Sequence, residues 1–408
     1  MRWFILVLVF ILIEFYSYQV LRQFSKSPVV LWSYILISLA IVAYVVYGFL
    51  QFDRSVGQNH QSMIAMGLIL LIYLPKLILT LVLLLEDAGR MFMGMANYFI
   101  TETNRGEPFL PSRRKFVSQV ALGIASIPFI SILHGITIGR YKFQVHKQTV
   151  FFDDLPEAFD GFTFTQISDI HCGSFDNKEK ISHAIDIINQ QDSELVLFTG
   201  DLVNSIAEEM HPWLETFSEI RPHTYGKYSI LGNHDYGEYV NWKTKEDKER
   251  NFQAIKDLHP GMDFKLLLNE NVWLERDGAR IALVGVENWG VKFKKMGNLD
   301  QATTGVEAAD FKILMSHDPS HWDAQILNHP KNFQLTLAGH THGSQFGIEI
   351  PGIIKWSPIQ YVYKQWAGLY QKMGRFLYVN RGFGYHAYPG RVGIWPEITV
   401  FELRKRKK

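Results

Sequence analysis

The sequence predicts two unlike parts: a bundle of four transmembrane helices over residues 1–140, then a mixed α/β domain over residues 141–408, two sheets face to face with helices outside. Three observations carry this. Four long apolar runs succeed one another near the N-terminus. After residue 140, short apolar runs alternate with amphipathic polar stretches. Within that second part, five short segments rich in Asp, Asn and His each follow a strand-like run.

The chain has 408 residues, more than one ordinary domain holds. A net charge of +1 gives no global field for nucleic acid. Cys172 is the single cysteine, which excludes a disulfide framework and a cysteine-based zinc site.

The apolar runs are residues 3–21, 29–50, 64–85 and 116–138. Each is long enough to cross a hydrocarbon core of roughly 30 Å as a helix. Lys and Arg favour the cytoplasmic side. Arg22 and Lys26 follow the first run, and Arg90, Arg105, Arg113, Arg114 and Lys115 precede the fourth. Arg54 alone lies between the second and third runs, and Arg2 alone before the first. This puts the N-terminus and everything after residue 138 outside, although Arg140, Lys142 and Lys147 pull the other way. The expected location is a multi-pass position in a bacterial inner membrane, with the second domain on the outer face. Ser112-Arg113-Arg114-Lys115-Phe116 resembles a twin-arginine export signal, but the basic flank of a membrane helix is the plainer reading. Glu14 and Lys76 are charges inside spans and are expected to pair as a structural pin. Pro75 is expected to kink its helix.

In the second part, strands are expected at residues 162–167, 195–199 and 228–231, with helices at 178–190, 208–220 and 246–258. Later strands are expected at 280–286, 311–315, 334–337, 375–379 and 397–403. The basic run 404–408 reads as a solvated tail.

The five polar segments are Ser168-Asp169-Ile170-His171, Gly200-Asp201-Leu202-Val203-Asn204, Gly232-Asn233-His234-Asp235, Ser316-His317-Asp318 and Gly339-His340-Thr341-His342-Gly343. Polar side chains at strand tips are costly to bury without partners, so chemistry is the better explanation. A two-metal hydrolytic site needs hard oxygen and imidazole ligands, with ions roughly 3.5–4 Å apart. Asp169 and His171 can turn toward one ion, and Asp201 is the natural bridge because each carboxylate oxygen can take one ion. Asn233 offers an amide oxygen, and His317, His340 and His342 add imidazoles. A water activated between the ions would then attack. His234 is left over as proton donor or phosphoryl contact. Asp235 is expected to orient it, and Asn204 to hydrogen-bond within the site and steady its loop.

These five segments, in this order, resemble the signature of the calcineurin-like metallophosphoesterases over about residues 162–403. The membrane-anchored branch, with YkuE-type phosphoesterases and transmembrane proteins bearing a metallophosphoesterase domain, is the nearer likeness. The resemblance implies a β-sandwich flanked by helices. It implies one divalent ion held by Asp169, His171, Asp201 and His342, and a second by Asp201, Asn233, His317 and His340, with His234 as acid. Manganese, iron or zinc suits such a donor set. It further implies a hydrolase acting on a phosphodiester or pyrophosphate. Some relatives cleave UDP-2,3-diacylglucosamine in lipid A biosynthesis. Arg381 and Arg391 are expected at the substrate phosphate or in a salt bridge. His386 is expected at the pocket, on a Gly- and aromatic-rich loop over residues 382–390. The implied partners are a phosphorylated small molecule or lipid and membrane lipids, with no nucleic acid. The competing expectation is a membrane sensor or scaffold that binds a phosphorylated ligand without turnover. A transporter resting on Glu14 and Lys76 ranks third. Cys172 is expected to be a small packing residue.

Overall fold

A computed structural model describes residues 2–100, 111–221 and 223–407. Arg105 and the side chains of Arg2 and Arg113 lie outside the described residues. The chain forms two compact units: Met1–Gln51 with Gln61–Ile136, and Phe52–His60 with Thr137–Lys408.

The first unit is helical: α1 (Arg2–Phe24), α2 (Pro28–Leu50), α3 (His60–Leu68), α4 (Leu74–Ile100) and α5 (Pro111–Thr137). Stretches of α1, α2, α3 joined to α4, and α5 are long and apolar enough to cross a membrane. Pro28 opens α2 at a position where its missing N–H has no helical partner to lose. The third helical run continues well past residue 85. The charges that follow are absorbed by the helix: Arg90 pairs with Glu86 one turn back at 2.5 Å, and Tyr16 donates to Asp87 at 2.9 Å. Pro75 is preceded by a π-helical turn, Ile69–Tyr73, that joins α3 to α4. A widened turn accommodates the ring and the missing donor. Lys76 and Glu14 meet as expected, at 2.8 Å.

In the second unit the order is β1 (Gln144–Phe152), β2 (Phe162–Ile167), α6 (Lys178–Asn189), β3 (Leu195–Phe198), α7 (Leu214–Ser218), β4 (Lys227–Ser229), α8 (Lys245–Gly261) and β5 (Lys265–Leu266). Then come β6 (Glu270–Arg276), β7 (Ala279–Gly285), α9 (Leu299–Ala302), β8 (Lys312–Met315), α10 (Ser320–Ala324) and β9 (Leu335–Ala338). A hairpin of β10 (Ile348–Ile350) and β11 (Ile354–Trp356) is followed by β12 (Gly368–Lys372), β13 (Arg375–Val379) and β14 (Glu397–Lys405).

Two six-stranded sheets result, ordered β1-β14-β2-β3-β4-β5 and β12-β13-β9-β8-β7-β6. Their inner faces share one core, with Phe162, Phe164, Leu195 and Leu197 from the first sheet and Ile281, Leu283, Leu335 and Leu337 from the second. Along β3, Val196 and Phe198 face the other way and pack under Ile181, Ile185 and Ile188 of α6. Burial on both faces is why β3 reads as an unbroken apolar run. Strands β2, β3, β4 and β5 run parallel, as do β7, β8, β9 and β13. The carboxyl ends of the central strands therefore open in common directions, where ligands bind in such sheets.

Two expectations need correction. The helix expected over 208–220 is a 3₁₀ turn, Ala207–Met210, and the short α7. The carboxylate of Glu209 takes the N–H groups of Asn204, Ser205 and Ile206, which closes a turn where a longer helix would have begun. The tail is solvated only in part: Arg404 and Lys405 belong to β14 and pair with Asp160 and Glu157, while Arg406 and Lys407 are exposed.

Candidate metal centre

Each predicted ligand lies just past a strand's carboxyl end: Asp169 and His171 after β2, Asp201 after β3, Asn233 after β4, His317 after β8, and His340 and His342 after β9. Both sheets contribute. Asp169, His171, Asp201, His340 and His342 have positive φ, between 47° and 74°. Left-handed backbone is strained for such residues, and strain of this kind gathers at functional sites. Here it turns successive side chains toward one centre. The motif glycines are needed for the same closeness. A methyl group at Gly232 would strike Asp201 Oδ1, and one at Gly339 would strike Ser168 Oγ and Asp169 Oδ2.

Potential ligand atoms gather in groups that share members. Asp169, His171 and His342 form one, His171, Asp201 and His234 a second, and Asp201, His317 and His340 a third, each within 4.8 Å. Asn233 Oδ1 joins the third through His340 Nδ1, 2.7 Å away. His317 Nε2 is 3.1 Å from Asp201 Oδ2, His171 Nε2 is 3.6 Å from the same oxygen, and His342 Nε2 is 3.3 Å from Asp169 Oδ1.

Surrounding groups fix the rings. The Thr199 carbonyl faces His317 Nδ1 at 2.7 Å, the Asn204 side-chain oxygen faces His171 Nδ1 at 3.1 Å, and the Asn204 carbonyl faces His234 Nδ1 at 2.7 Å. In each case the Nε2 atom is left for the pocket. Asn204 is 1% exposed, and its amide donates to Ser174 Oγ at 3.1 Å. It hydrogen-bonds within the site as expected, and organises two imidazoles. Asp235 is reassigned. Its carboxylate accepts the backbone N–H groups of Asp201, Leu202 and Gly232 at 2.8–2.9 Å, so it binds loops together and does not orient the His234 ring.

Arg381 and Arg391 do not offer free guanidinium groups. Arg381 is paired with Glu349 and Glu397, and Arg391 is fully buried among the carbonyls of Arg381, Gly382 and Gly384 and His342 Nδ1. His386 does reach the site. Its ring lies 4.9 Å from His171 and 4.7 Å from His234, and its Nδ1 is buried without a partner among the described residues.

Several neighbours of the site leave no mark in the sequence. Tyr363 O–H lies 2.8 Å from His340 Nε2, Phe293 packs on the His340 ring at 4.7 Å, and Tyr239 stacks on His234 at 4.3 Å. Phe52–His60 connects the second and third apolar runs and belongs to the second unit. In it, Gln58 Nε2 donates to the Ala387 carbonyl at 2.6 Å, and Gln58 Oε1 accepts the Ala387 N–H at 3.0 Å. This clamp holds the residue after His386, itself at φ 68°.

Electrostatics show what the pocket lacks. Burial pushes Asp169 up to about 6, and burial with the Asp201 charge pushes Asp235 up to about 7. Burial also opposes the charge on Asp201, but His317 and His234 outweigh it and hold Asp201 well below the carboxylate range. The same contact, working against burial, pushes His317 up to about 10. Burial lowers His340 to about 4. A pocket that crowds two carboxylates and neutral imidazoles, and drives the Asp169 carboxyl toward protonation, is short of positive charge. Divalent cations fit that deficit and this mixed oxygen and nitrogen donor set. Cys172 is fully buried in the core and takes no part.

Comparison with known proteins agrees with this chemistry. Residues 1–140 match the family model described as a probable calcineurin-like phosphoesterase transmembrane domain, and residues 162–344 match the calcineurin-like phosphoesterase model. The chain is 30% identical to the uncharacterized metallophosphoesterase YkuE of Bacillus subtilis (strain 168), over 72% of this chain and 98% of that protein. An uncharacterized metallophosphoesterase of Helicobacter pylori (strain ATCC 700392 / 26695) is 24% identical over 97% of this chain and 96% of its own length. The transmembrane protein with metallophosphoesterase domain of Danio rerio is 27% identical, and the match spans 62% of this chain and 55% of that protein. With its strand-end clusters of candidate ligands, its sandwich of two sheets and its apolar helices, this chain belongs to the calcineurin-like metallophosphoesterases and is a metal-dependent phosphoesterase of the membrane.

Proposed function

We propose a membrane-anchored two-metal phosphohydrolase that cleaves a phosphodiester or pyrophosphate, with residues 1–140 as its membrane part and 141–408 as its hydrolase. The observation that carries this is Asp201, whose carboxylate belongs to ligand groups on both sides of it. Asp169, His171, Asp201 and His342 would hold one ion, and Asp201, Asn233, His317 and His340 the other. Bound there, two ions supply a water of lowered pKa and offset phosphoryl charge. His234 has its Nδ1 fixed on the Asn204 carbonyl, so Nε2 gives its proton to the leaving oxygen. His386 Nδ1 donates a hydrogen bond to a phosphoryl oxygen. Arg381 and Arg391 hold the loop that carries His386 and do not touch substrate.

In the finer form of the proposal the substrate is lipid-linked, with UDP-2,3-diacylglucosamine as its chemical type, and the domain faces outward from a bacterial inner membrane. The Arg and Lys distribution between the spans supports that orientation. Protease cleavage of the C-terminal domain in intact cells checks it.

The test of function uses purified full-length protein loaded with manganese and bis(4-nitrophenyl) phosphate. Turnover in the wild type that chelator removes is the expected result. Bound metal with no hydrolysis under any divalent ion overturns it and leaves a phosphate-binding sensor or scaffold.

A further inference from the structure

The β10–β11 hairpin is amphipathic the wrong way round for a surface ribbon. Register pairs Glu349 with Lys355 on one face, and Ile350 with Ile354 on the other. The polar face is anchored. Arg381 holds both oxygens of Glu349 at 2.6 and 2.9 Å, and Lys355 Nζ lies 2.5 Å from the Ala367 carbonyl. The apolar face is open. Ile348 and Ile350 are each 48% exposed, Ile354 is 41% exposed and Ile353 at the tip is 80% exposed. Soluble surfaces seldom gather aliphatic side chains in this way.

The chain then runs on into Tyr361 and Val362, which are 78% and 57% exposed. The next residue, Tyr363, turns inward to His340. The apolar surface is thus continuous in sequence with the metal centre. Val362 also lines a shallow cavity with Val291, Lys292 and Lys364. Among the described residues neither lysine has an acidic partner, while Asp323, the carboxylate in that lining, is taken by Lys372 and Gln365. Aliphatic side chains, a tyrosine and free lysines together are the composition of a surface that sits in a headgroup layer and meets anionic lipid. A bilayer is the occupant at hand, because residues 1–140 match a transmembrane family model and only residues 138–143 separate the last apolar helix from β1 in sequence.

We propose that the β10–β11 hairpin with Tyr361 and Val362 dips into the headgroup layer of the bilayer, and that the substrate class is a lipid phosphate ester drawn from that layer past Tyr363 to the metal pair. The substrate half of this rests on the phosphohydrolase reading; the membrane contact does not.

Full-length Ile353→Cys protein, labelled with an environment-sensitive fluorophore, goes into nanodiscs of phosphatidylcholine and phosphatidylglycerol. Cys172 is fully buried and escapes the label. Lipids spin-labelled near the top of the acyl chain should quench the probe at 353 and leave a probe at Glu179→Cys, exposed on α6, unquenched. No quenching at 353, or equal quenching at both positions, overturns the proposal. Lipid-independent crosslinking between two copies through position 353 overturns it in favour of a second chain. The second arm measures inhibition of bis(4-nitrophenyl) phosphate turnover by phosphatidic acid in phosphatidylcholine vesicles. Ile350→Glu with Ile353→Glu should weaken that inhibition about tenfold or more and leave inhibition by glycerol 3-phosphate unchanged. Equal inhibition in variant and wild type overturns the substrate class. A wild type without turnover defeats the phosphohydrolase reading, and the quenching still judges the surface.

Discussion

Two polar clusters sit among apolar surroundings in this chain, and they differ in how fully they are satisfied. In the membrane unit, Glu14 is met by Lys76 at 2.8 Å, by Tyr34 at 2.5 Å and by Ser38 at 3.2 Å, and Lys76 also donates to Ser38 at 3.0 Å. One positive and one negative charge close on each other. In the candidate metal centre, Asp169 and Asp201 share a pocket with imidazoles, His386 Nδ1 has no hydrogen-bond partner among the described residues, and five candidate ligand positions hold left-handed backbone. A closed network pins a fold. A strained network with unmet groups is built for something that arrives.

The sharpest way to break the contrast is Asp201→Asn. It removes the shared ligand, and turnover of bis(4-nitrophenyl) phosphate should fall about a thousandfold or more. A loss under tenfold would mean that Asp201 bridges nothing. At the closed cluster, Lys76→Met leaves Glu14 unpaired and should cost about 3 kcal/mol of stability in detergent. Adding Glu14→Gln to that variant should recover much of it. Turnover per folded, metal-loaded molecule should not change. If it drops while the fold survives, the Glu14–Lys76 pair does more than pin helices.

His259 tests whether an unpartnered imidazole alone makes a site. Both its ring nitrogens lack partners among the described residues, it lies against Phe198, and burial alone lowers it to about 3. The unfolded chain takes up this proton below about 6.5 and the folded one does not until about 3, so stability falls as pH drops between those values. The slope is about 1.4 kcal/mol per pH unit. His259→Phe should flatten the fall in melting temperature between pH 6.5 and 5, with metal content unchanged. An unaltered pH profile would show that His259 titrates normally.

The smallest effect is expected at Gln58. Gln58→Ala should lower kcat/KM about tenfold, mainly through KM, with both ions retained. Combined with His386→Ala it should cost little beyond His386→Ala alone. Additive losses would separate the clamp from His386.

The cluster of Asp, Asn and His side chains was legible because each member follows a strand-like run and brings a residue type that strand tips rarely carry without cause. The sandwich was legible in outline, since β3 and its neighbours are short and apolar on both faces. Strand β1 was missed because its half-exposed alternation over Gln144–Phe152 mixes Lys, His and Gln with its apolar positions. Asp235 was misjudged from adjacency. It neighbours His234 in sequence, but the turn there aims its carboxylate at the backbone of the β3 loop. Tyr363 and Gln58 were out of reach for another reason. Their partners are 23 and 329 positions away, and a pair of that kind leaves no periodic trace.

The most direct measurement is the metal content of purified full-length protein after equilibration with manganese and removal of the free ion. The account predicts two ions per chain in the wild type, and fewer in Asp201→Asn at the same protein concentration. A wild type that holds one ion or none, or an Asp201→Asn variant that still holds two, contradicts it.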